Sequence, residues 1–286
     1  MAHKTGALAT RDLERVVVDT TVQPKAIVHP TDARLCHRAL EKLVDLAQRH
    51  DVPLRQSYRR VAKRAAIMVR RYAHAHQFKR ARRASPPAGS GDAGAVPGSP
   101  SARPQGLCAA CPEVERIGKG KARAPYEFGC KVSMATPATK PKGGQFVLHA
   151  KALHGNPFDG HTLGPVITEL EQLTGIETRR IHVDKGYRGH NHKEKFRVWI
   201  SGQVQRVTRP IRREMKRRAA VEPVIGHVKA KHRMSRYYLK GRDGDRINAV
   251  LAAAGYNFGL LLRWLASPLR ALLRMLLGAP PVLKRA

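Results

Sequence analysis

The chain has 286 residues, 42% of them apolar, which is enough for a substantial core in one or two domains. Lysine and arginine number 54 against 21 acids, a formal charge of +33 that repels itself in isolation and points to a polyanionic partner, nucleic acid before a membrane surface. Cysteines are 4, with Cys108 and Cys111 forming a single C-x2-C pair, so neither a zinc ribbon nor a disulfide framework is supported.

In chain order, Val16 to Val18 form a β-branched run that ends in Asp19, followed by Thr20 and Thr21. So apolar a strand is buried on both faces, and an acid at its end lies at a sheet edge or cleft, an address for a metal-binding carboxylate or for a turn-forming Asp. From Thr31 the period turns helical: Leu35, Leu40, Leu43, Val44 and Ala47 recur at spacings of three to five, and Pro53 closes this helix. A second helix is expected over roughly 54–83, carrying Arg59, Arg60, Lys63, Arg64, Arg70 and Arg71 among its cations and no acid. Solvated basic faces usually carry balancing carboxylates, so this one-signed run favours contact with DNA.

Residues 84–106 are almost all Ala, Pro, Gly and Ser, a composition that cannot offset the entropy of ordering and is expected to be disordered. It reads either as a linker or as a stretch translated out of frame. Strands are expected over 126–132 and 145–150 with a Pro-Lys-Gly-Gly turn between them, then an amphipathic helix opening at Thr162 and running to about Thr174. Ile181, His182 and Val183 form another strand ending in an acid, Asp184, with Gly186 and Gly189 allowing a tight turn after it. The strand–helix–strand order makes this strand parallel to a neighbour.

Further on, Arg218, Glu222 and Lys229 stand four and seven residues apart, one face of a helix by spacing, although Pro223 argues that the helix is kinked or begins close to Glu222. Asp19, Asp184 and Glu222 together would suit two hard divalent cations, one activating a water or 3′-hydroxyl and the other stabilising the leaving oxygen of a phosphodiester. Lys185 and Arg188, beside Asp184, and Arg218 and Lys229 are the expected DNA contacts. His190-Asn191-His192 reads as a polar loop, and Tyr237, Tyr238, Tyr256 and Trp264 as core residues. Residues 249–262 are apolar but interrupted by Asn257 and closed by Arg263, short of a bilayer span, and are expected to be a buried helix. The N-terminal residues lack an apolar signal region.

With its Val-Val-Asp-Thr-Thr-Val-Gln-Pro-Lys (17–25), Val-Asp-Lys-Gly-Tyr-Arg-Gly (183–189) and Arg218-x3-Glu222-x6-Lys229, the chain resembles a DDE transposase of a bacterial insertion sequence, in the insertion sequence five family. Further likeness lies in 118–121, His154-Gly155-Asn156-Pro157 and Gly241-Arg242-Asp243-Gly244-Asp245. The resemblance implies an α/β, ribonuclease-H-like mixed sheet flanked by helices, with an inserted basic helical region. It implies Mg2+-dependent (or Mn2+-dependent) strand cleavage and transfer, with Asp19, Asp184 and Glu222 as catalytic metal ligands and Lys229 on the element's end DNA. The partners implied are double-stranded DNA at element ends and target; a homo-oligomer is compatible, a membrane is not expected, and the location is the cytoplasm, at the nucleoid. The division expected is 1–30 first catalytic strand, 31–83 basic insertion, 84–112 linker, 113–266 remaining core and 267–286 basic tail. Two departures stand out: the tyrosine expected three residues before Arg218 is Met215, and only 18 residues precede Asp19, as in a truncated copy of impaired activity. The alternative is a catalytically inactive DNA-binding remnant or a pseudogene product.

Overall fold

The computed structural model describes residues 2–27, 32–84, 113–118 and 126–277. Residues 85–106 of the low-complexity tract, Cys108, Cys111 and residues 119–121 lie outside them. Packing divides the chain into two units, one of residues 1–26 with 117–286 and the other of residues 27–116.

The first unit is built on a mixed sheet. After a short helix, α1 (Thr10–Leu13), strand β1 (Arg15–Pro24) runs through its centre. The sheet order is β2 (Glu115–Gly118), β3 (Tyr126–Pro137), β1, β5 (Arg180–Val183), β6 (Val198–Ile200), with β4 (His149–Leu153) also pairing β3. On one side β1 pairs antiparallel with β3, from Val16 opposite Pro137 to Pro24 opposite Gly129. On the other side it pairs parallel with β5, which in turn runs parallel to β6. The expected parallel strand before Asp184 is therefore present. Val16, Val17 and Val18 are each at most 1% exposed, as a strand covered on both faces requires.

Helix α5 (Asp159–Thr174) covers one face, where Leu163, Val166, Ile167 and Leu170 join Val16, Val18, Ile181 and Val183 in one core cluster. It begins three residues before the expected start and contains Pro165. Proline has no N–H for the carbonyl of His161, four residues back, and the side-chain amide of Asn191 donates to that carbonyl instead. Asn191 Oδ1 also accepts the Gly164 N–H at 2.9 Å, so the His190–His192 loop is fastened to α5.

The other face carries α6 (Arg209–Arg217), a 3-10 turn (Arg218–Ala220), α7 (Val221–Lys231) and the long α8 (Gly241–Leu276). By length and composition α8 is long and apolar enough to cross a bilayer. The expectation of a buried helix is corrected: only one face is covered, through Ala249, Ala252, Ala253, Tyr256 and Leu260, while Val250, Leu251, Phe258 and Leu262 are exposed. Helical periodicity shares 249–262 between a packed and an open side. The helix also runs to Leu276, into the stretch expected to be a tail. Asn257, which interrupts the apolar run, donates to the Val147 carbonyl at 2.7 Å and accepts its N–H at 2.8 Å. Tyr238 is exposed, against expectation, whereas Tyr237 and Tyr256 are buried. The strand expected at 145–150 begins only at His149, because the segment before it is held by Asn257 rather than by a ladder.

Two histidines in this unit are buried beside a carboxylate: His182 against Glu214 and His149 against Glu169, each at 3.1 Å. Burial holds both below the ordinary value of 6.5, against the pull of the partner acids. The unfolded chain therefore takes up protons near pH 6.5 that the folded chain resists, and stability is expected to fall as pH drops through that value. Denaturant titrations between pH 8 and 5 test this; His182→Asn should flatten the dependence.

The second unit consists of α2 (Asp32–Arg49), α3 (Arg59–His74) and α4 (Phe78–Ala84). The single helix expected over 54–83 is corrected to two, with a break at His76, whose φ of +54° ends the right-handed spiral. Its core is thin: among the described residues Ala33, Val44, Ala81 and Val114 are its buried apolar side chains.

Candidate active site

Asp19 and Asp184 are placed by the parallel register of β1 and β5. Val17 stands opposite His182, and each acid follows two residues later, Asp19 within β1 and Asp184 just past the end of β5. Asp19 does not end its strand, as the sequence suggested, but lies in the middle of β1, which continues to Pro24 along β3. Beyond Val183 the chain leaves the sheet in a 3-10 turn (Lys185–Tyr187), with Tyr187 buried beneath and Lys185 and Arg188 exposed.

The third acid, Glu222, follows α6 and the turn after it. Glu214 on α6 is buried and accepts from Arg15 Nη1 at 3.1 Å and Arg180 Nη1 at 2.9 Å through one oxygen, and lies 3.1 Å from His182 Nε2 through the other. Arg15 and Arg180 start the very strands that carry Asp19 and Asp184, so this cluster fixes α6 to them. Arg217 donates to the carbonyls of Ala138 and Thr139 at 3.1 and 3.0 Å, holding the end of α6. The 3-10 turn then swings the chain into α7, where Glu222 and Pro223 occupy the first turn. A proline there costs no hydrogen bond, which resolves the conflict between Glu222 and Pro223 in favour of a helix that begins beside the acid.

Arg218 is the centre of the arrangement. Its guanidinium lies 3.4 Å from Asp19 Oδ2, 3.6 Å from Asp184 Oδ1 and 4.0 Å from Glu222 Oε1, so one cation joins all three acids. Besides being an expected DNA contact, it has its side chain turned onto the carboxylates. Asp19 also accepts the Thr20 N–H at 2.8 Å. Burial pushes its carboxyl up to about 6, and the negative charges of Asp184 and Glu222 add to this, against the Thr20 hydrogen bond and Arg218. Lys229 lies two turns along α7 and pairs with Glu127 of β3 at 3.9 Å.

The cleft in front of Asp19 and Asp184 is also lined by Lys131, Asn156, Asp159 and Tyr187. Lys131 Nζ bonds Asp159 Oδ1 at 3.1 Å and the Pro157 carbonyl at 2.8 Å. No spacing rule ties residues 28 apart, so this pair was missed; His154-Gly155-Asn156-Pro157 was the only signal that the segment matters.

Three carboxylates make an all-oxygen donor set, which suits a hard divalent ion such as Mg2+. Their oxygens are spread around Arg218 and not drawn into one shell. Among the described residues a different trio, Cys130, His154 and Asp245, brings its donor atoms within 4.8 Å of one another. That trio does not suit Mg2+. A thiol is a soft ligand, and Asp245 is already engaged through Oδ1 by Lys25 Nζ at 3.1 Å and by the Tyr237 hydroxyl. Those contacts make the trio part of a polar lock between the end of β1, the end of β4 and the start of α8.

Residues 180–262 match the family model of the transposase DDE domain. The matched segment holds Asp184, Arg218, Glu222 and Lys229, is under a third of the chain, and supports a DDE transposase. A segment of 77 residues, 27% of this chain, is 62% identical to the uncharacterized protein ORF8 in the nfe locus of Rhizobium meliloti, of which it covers 37%. The match thus spans little more than a third of that relative's length. No solved structure matches.

Proposed function

We propose that the chain acts on DNA as a transposase of the insertion sequence five family, cleaving strands at element ends and joining them to a target. The observation that carries this reading is the meeting of Asp19, Asp184 and Glu222 on one cation. Two sheet strands and a helix deliver the acids, and the sheet, antiparallel on one side of β1 and parallel on the other, is compatible with a ribonuclease-H-like core.

In this reading Asp19, Asp184 and Glu222 hold Mg2+ or Mn2+. When bound, the ions would polarise the scissile phosphate and lower the pKa of the attacking hydroxyl. The chain's own residues orient the rest. Glu214 and Arg217 fix the end of α6, after which the turn carries Arg218 and α7 carries Glu222. Arg218 balances the acids and, with Lys185 and Arg188 on the exposed turn after Asp184, faces the phosphates that approach the cleft. Lys229 extends the basic track along α7. Such a protein works in the cytoplasm, at the nucleoid, on double-stranded DNA.

The test is incubation of the purified chain with a duplex carrying the element's inverted-repeat end, with Mg2+, Mn2+ or EDTA. Metal-dependent nicking at the repeat boundary is expected. Tight binding without cleavage under any metal would identify an inactive DNA-binding remnant instead.

A further inference from the structure

Helix α3 of the second unit divides its residues sharply by chemistry. Arg60, Lys63, Arg64, Arg70 and Arg71 all fall within one third of the helix circumference, at 100° per residue, and all are exposed. Ala62, Ala65, Met68, Val69 and Tyr72 occupy the opposite side and are partly covered. Arg59 lies between the two sides and pairs with Asp45 of α2, as an arginine beside the packed face would. No carboxylate among the described residues pairs with the five cations of the open face. An ordinary solvated helix face would carry acids three or four residues from such cations, so this face is unbalanced by construction.

The cations are not evenly spread. They form two clusters, 60–64 and 70–71, centred about 13 Å apart along the axis at the helical rise. Between them, in the middle of the same face, stands Ile67, 45% exposed. The major groove of duplex DNA is about 12 Å wide, admits an α-helix, and is walled by a phosphate ridge on each side. A helix lying along that groove presents one flank to each ridge, and at 100° per residue Lys63 and Arg70 fall to one side of Ile67 while Arg60, Arg64 and Arg71 fall to the other. An aliphatic side chain between them matches the groove floor, where thymine presents its methyl group.

We propose that α3 is a major-groove helix lying along the groove, with Lys63 and Arg70 toward one phosphate ridge, Arg60, Arg64 and Arg71 toward the other, and Ile67 over base edges between them. This deepens the DNA-acting reading above and rests on it for the class of partner. The width of the groove also sets the discrimination: duplex RNA has a deep, narrow major groove that side chains cannot read, so it is a poor partner for such a helix.

The experiment is fluorescence anisotropy of the full chain with a labelled DNA duplex, over a range of salt. Two variant sets are used, Arg60→Gln/Lys63→Gln/Arg64→Gln and Arg70→Gln/Arg71→Gln, with far-UV circular dichroism to check that glutamine preserves the helix. Each set is expected to weaken binding about tenfold or more and to flatten the slope of log K against log salt by about 2 to 3. Lys193→Gln/Lys195→Gln/Arg206→Gln, a similar charge loss in the first unit, should cost clearly less. Uracil in place of thymine should weaken binding to the unaltered chain but not to Ile67→Ala, and duplex RNA should compete poorly. If a set loses helix signal, Arg64→Gln and Arg71→Gln singly carry the same test, each with a slope change of about 1. Equal losses for the α3 sets and the control, or equal competition by RNA, overturn the proposal. Should the unaltered chain fail to bind duplex DNA at all, the DNA-acting reading itself falls; if it binds and nicks while the α3 sets behave like it, only the groove assignment falls.

Discussion

Asp184→Asn is expected to abolish metal-dependent nicking, by about a thousandfold or more, while leaving duplex binding and the melting temperature near those of the unaltered chain. The loss follows from the charge the ions place on the phosphate. A metal supplies several kcal/mol of transition-state stabilisation, and about 4 kcal/mol corresponds to three decades of rate. Stability should hardly change, because the Asp184 side chain is 49% exposed and its 3.6 Å pair with Arg218 is of the weak, screened kind, worth under about 1 kcal/mol. Asp19→Asn should lose cleavage equally but differ in stability. Its carboxyl titrates at about 6 in the folded chain against 3.8 ordinarily, so as pH rises between those values the unfolded chain releases its proton first. The charged form therefore costs stability at neutral pH, and a neutral amide is expected to raise stability by about 1–2 kcal/mol. Nicking gels and denaturant midpoints on the two variants read both halves of the argument. A melting temperature lowered by Asp19→Asn would contradict it.

Asp245→Asn should have the largest effect on stability, about 3–5 kcal/mol of loss. The Lys25 and Asp245 side chains are 2% and 1% exposed, and Lys25 also lies 5.2 Å above the Tyr237 ring. Gln23 Nε2 bonds the Asp245 carbonyl at 3.1 Å, and Asn248 Nδ2 bonds Gln23 Oε1 at 3.0 Å, so the cluster joins β1 to α8 through several shared partners. Removing the carboxylate charge leaves an ammonium buried beside an amide, which is the costly way to break a buried pair. Lys25→Met together with Asp245→Leu, which removes both charges, should recover part of the loss. Denaturant unfolding of the single and double variants measures it; a single-variant loss under about 1 kcal/mol would show that the pair is not desolvated as described.

These two sites differ in how far the sequence announced them. Asp19 and Asp184 were legible because each follows an apolar β-branched run, a local signal of a buried strand meeting a cleft. The continuation of β1 past Asp19 was not, since residues 20–24 are held by residues 129–133 of β3, far along the chain. Glu222 stood out by its spacing from Arg218 and Lys229, and the difficulty raised by Pro223 was real: it marks the start of α7 beside the acid. The role of Arg218 was half legible. Its four-residue step to Glu222 gave the nearness, but its contacts with Asp19 and Asp184 depend on where Glu214 fastens α6 to the sheet. Glu214 itself, 199 residues from Arg15, carries no local signal at all. Helix α8 was misjudged because an apolar run looks the same whether one face or all of it is covered. The break at His76 was invisible for a different reason, since neither glycine nor proline marks it.

We propose that Asp19, Asp184 and Glu222, and not the Cys130 trio, hold the divalent ion. Replacing Mg2+ by Fe2+ in the presence of ascorbate and peroxide generates hydroxyl radicals at the bound ion, which cut the backbone within reach. Cuts are predicted near residues 19, 184 and 222, suppressed by excess Mg2+ and lost in Asp184→Asn. Cuts near 130, 154 and 245, or none that Mg2+ suppresses, would contradict the assignment.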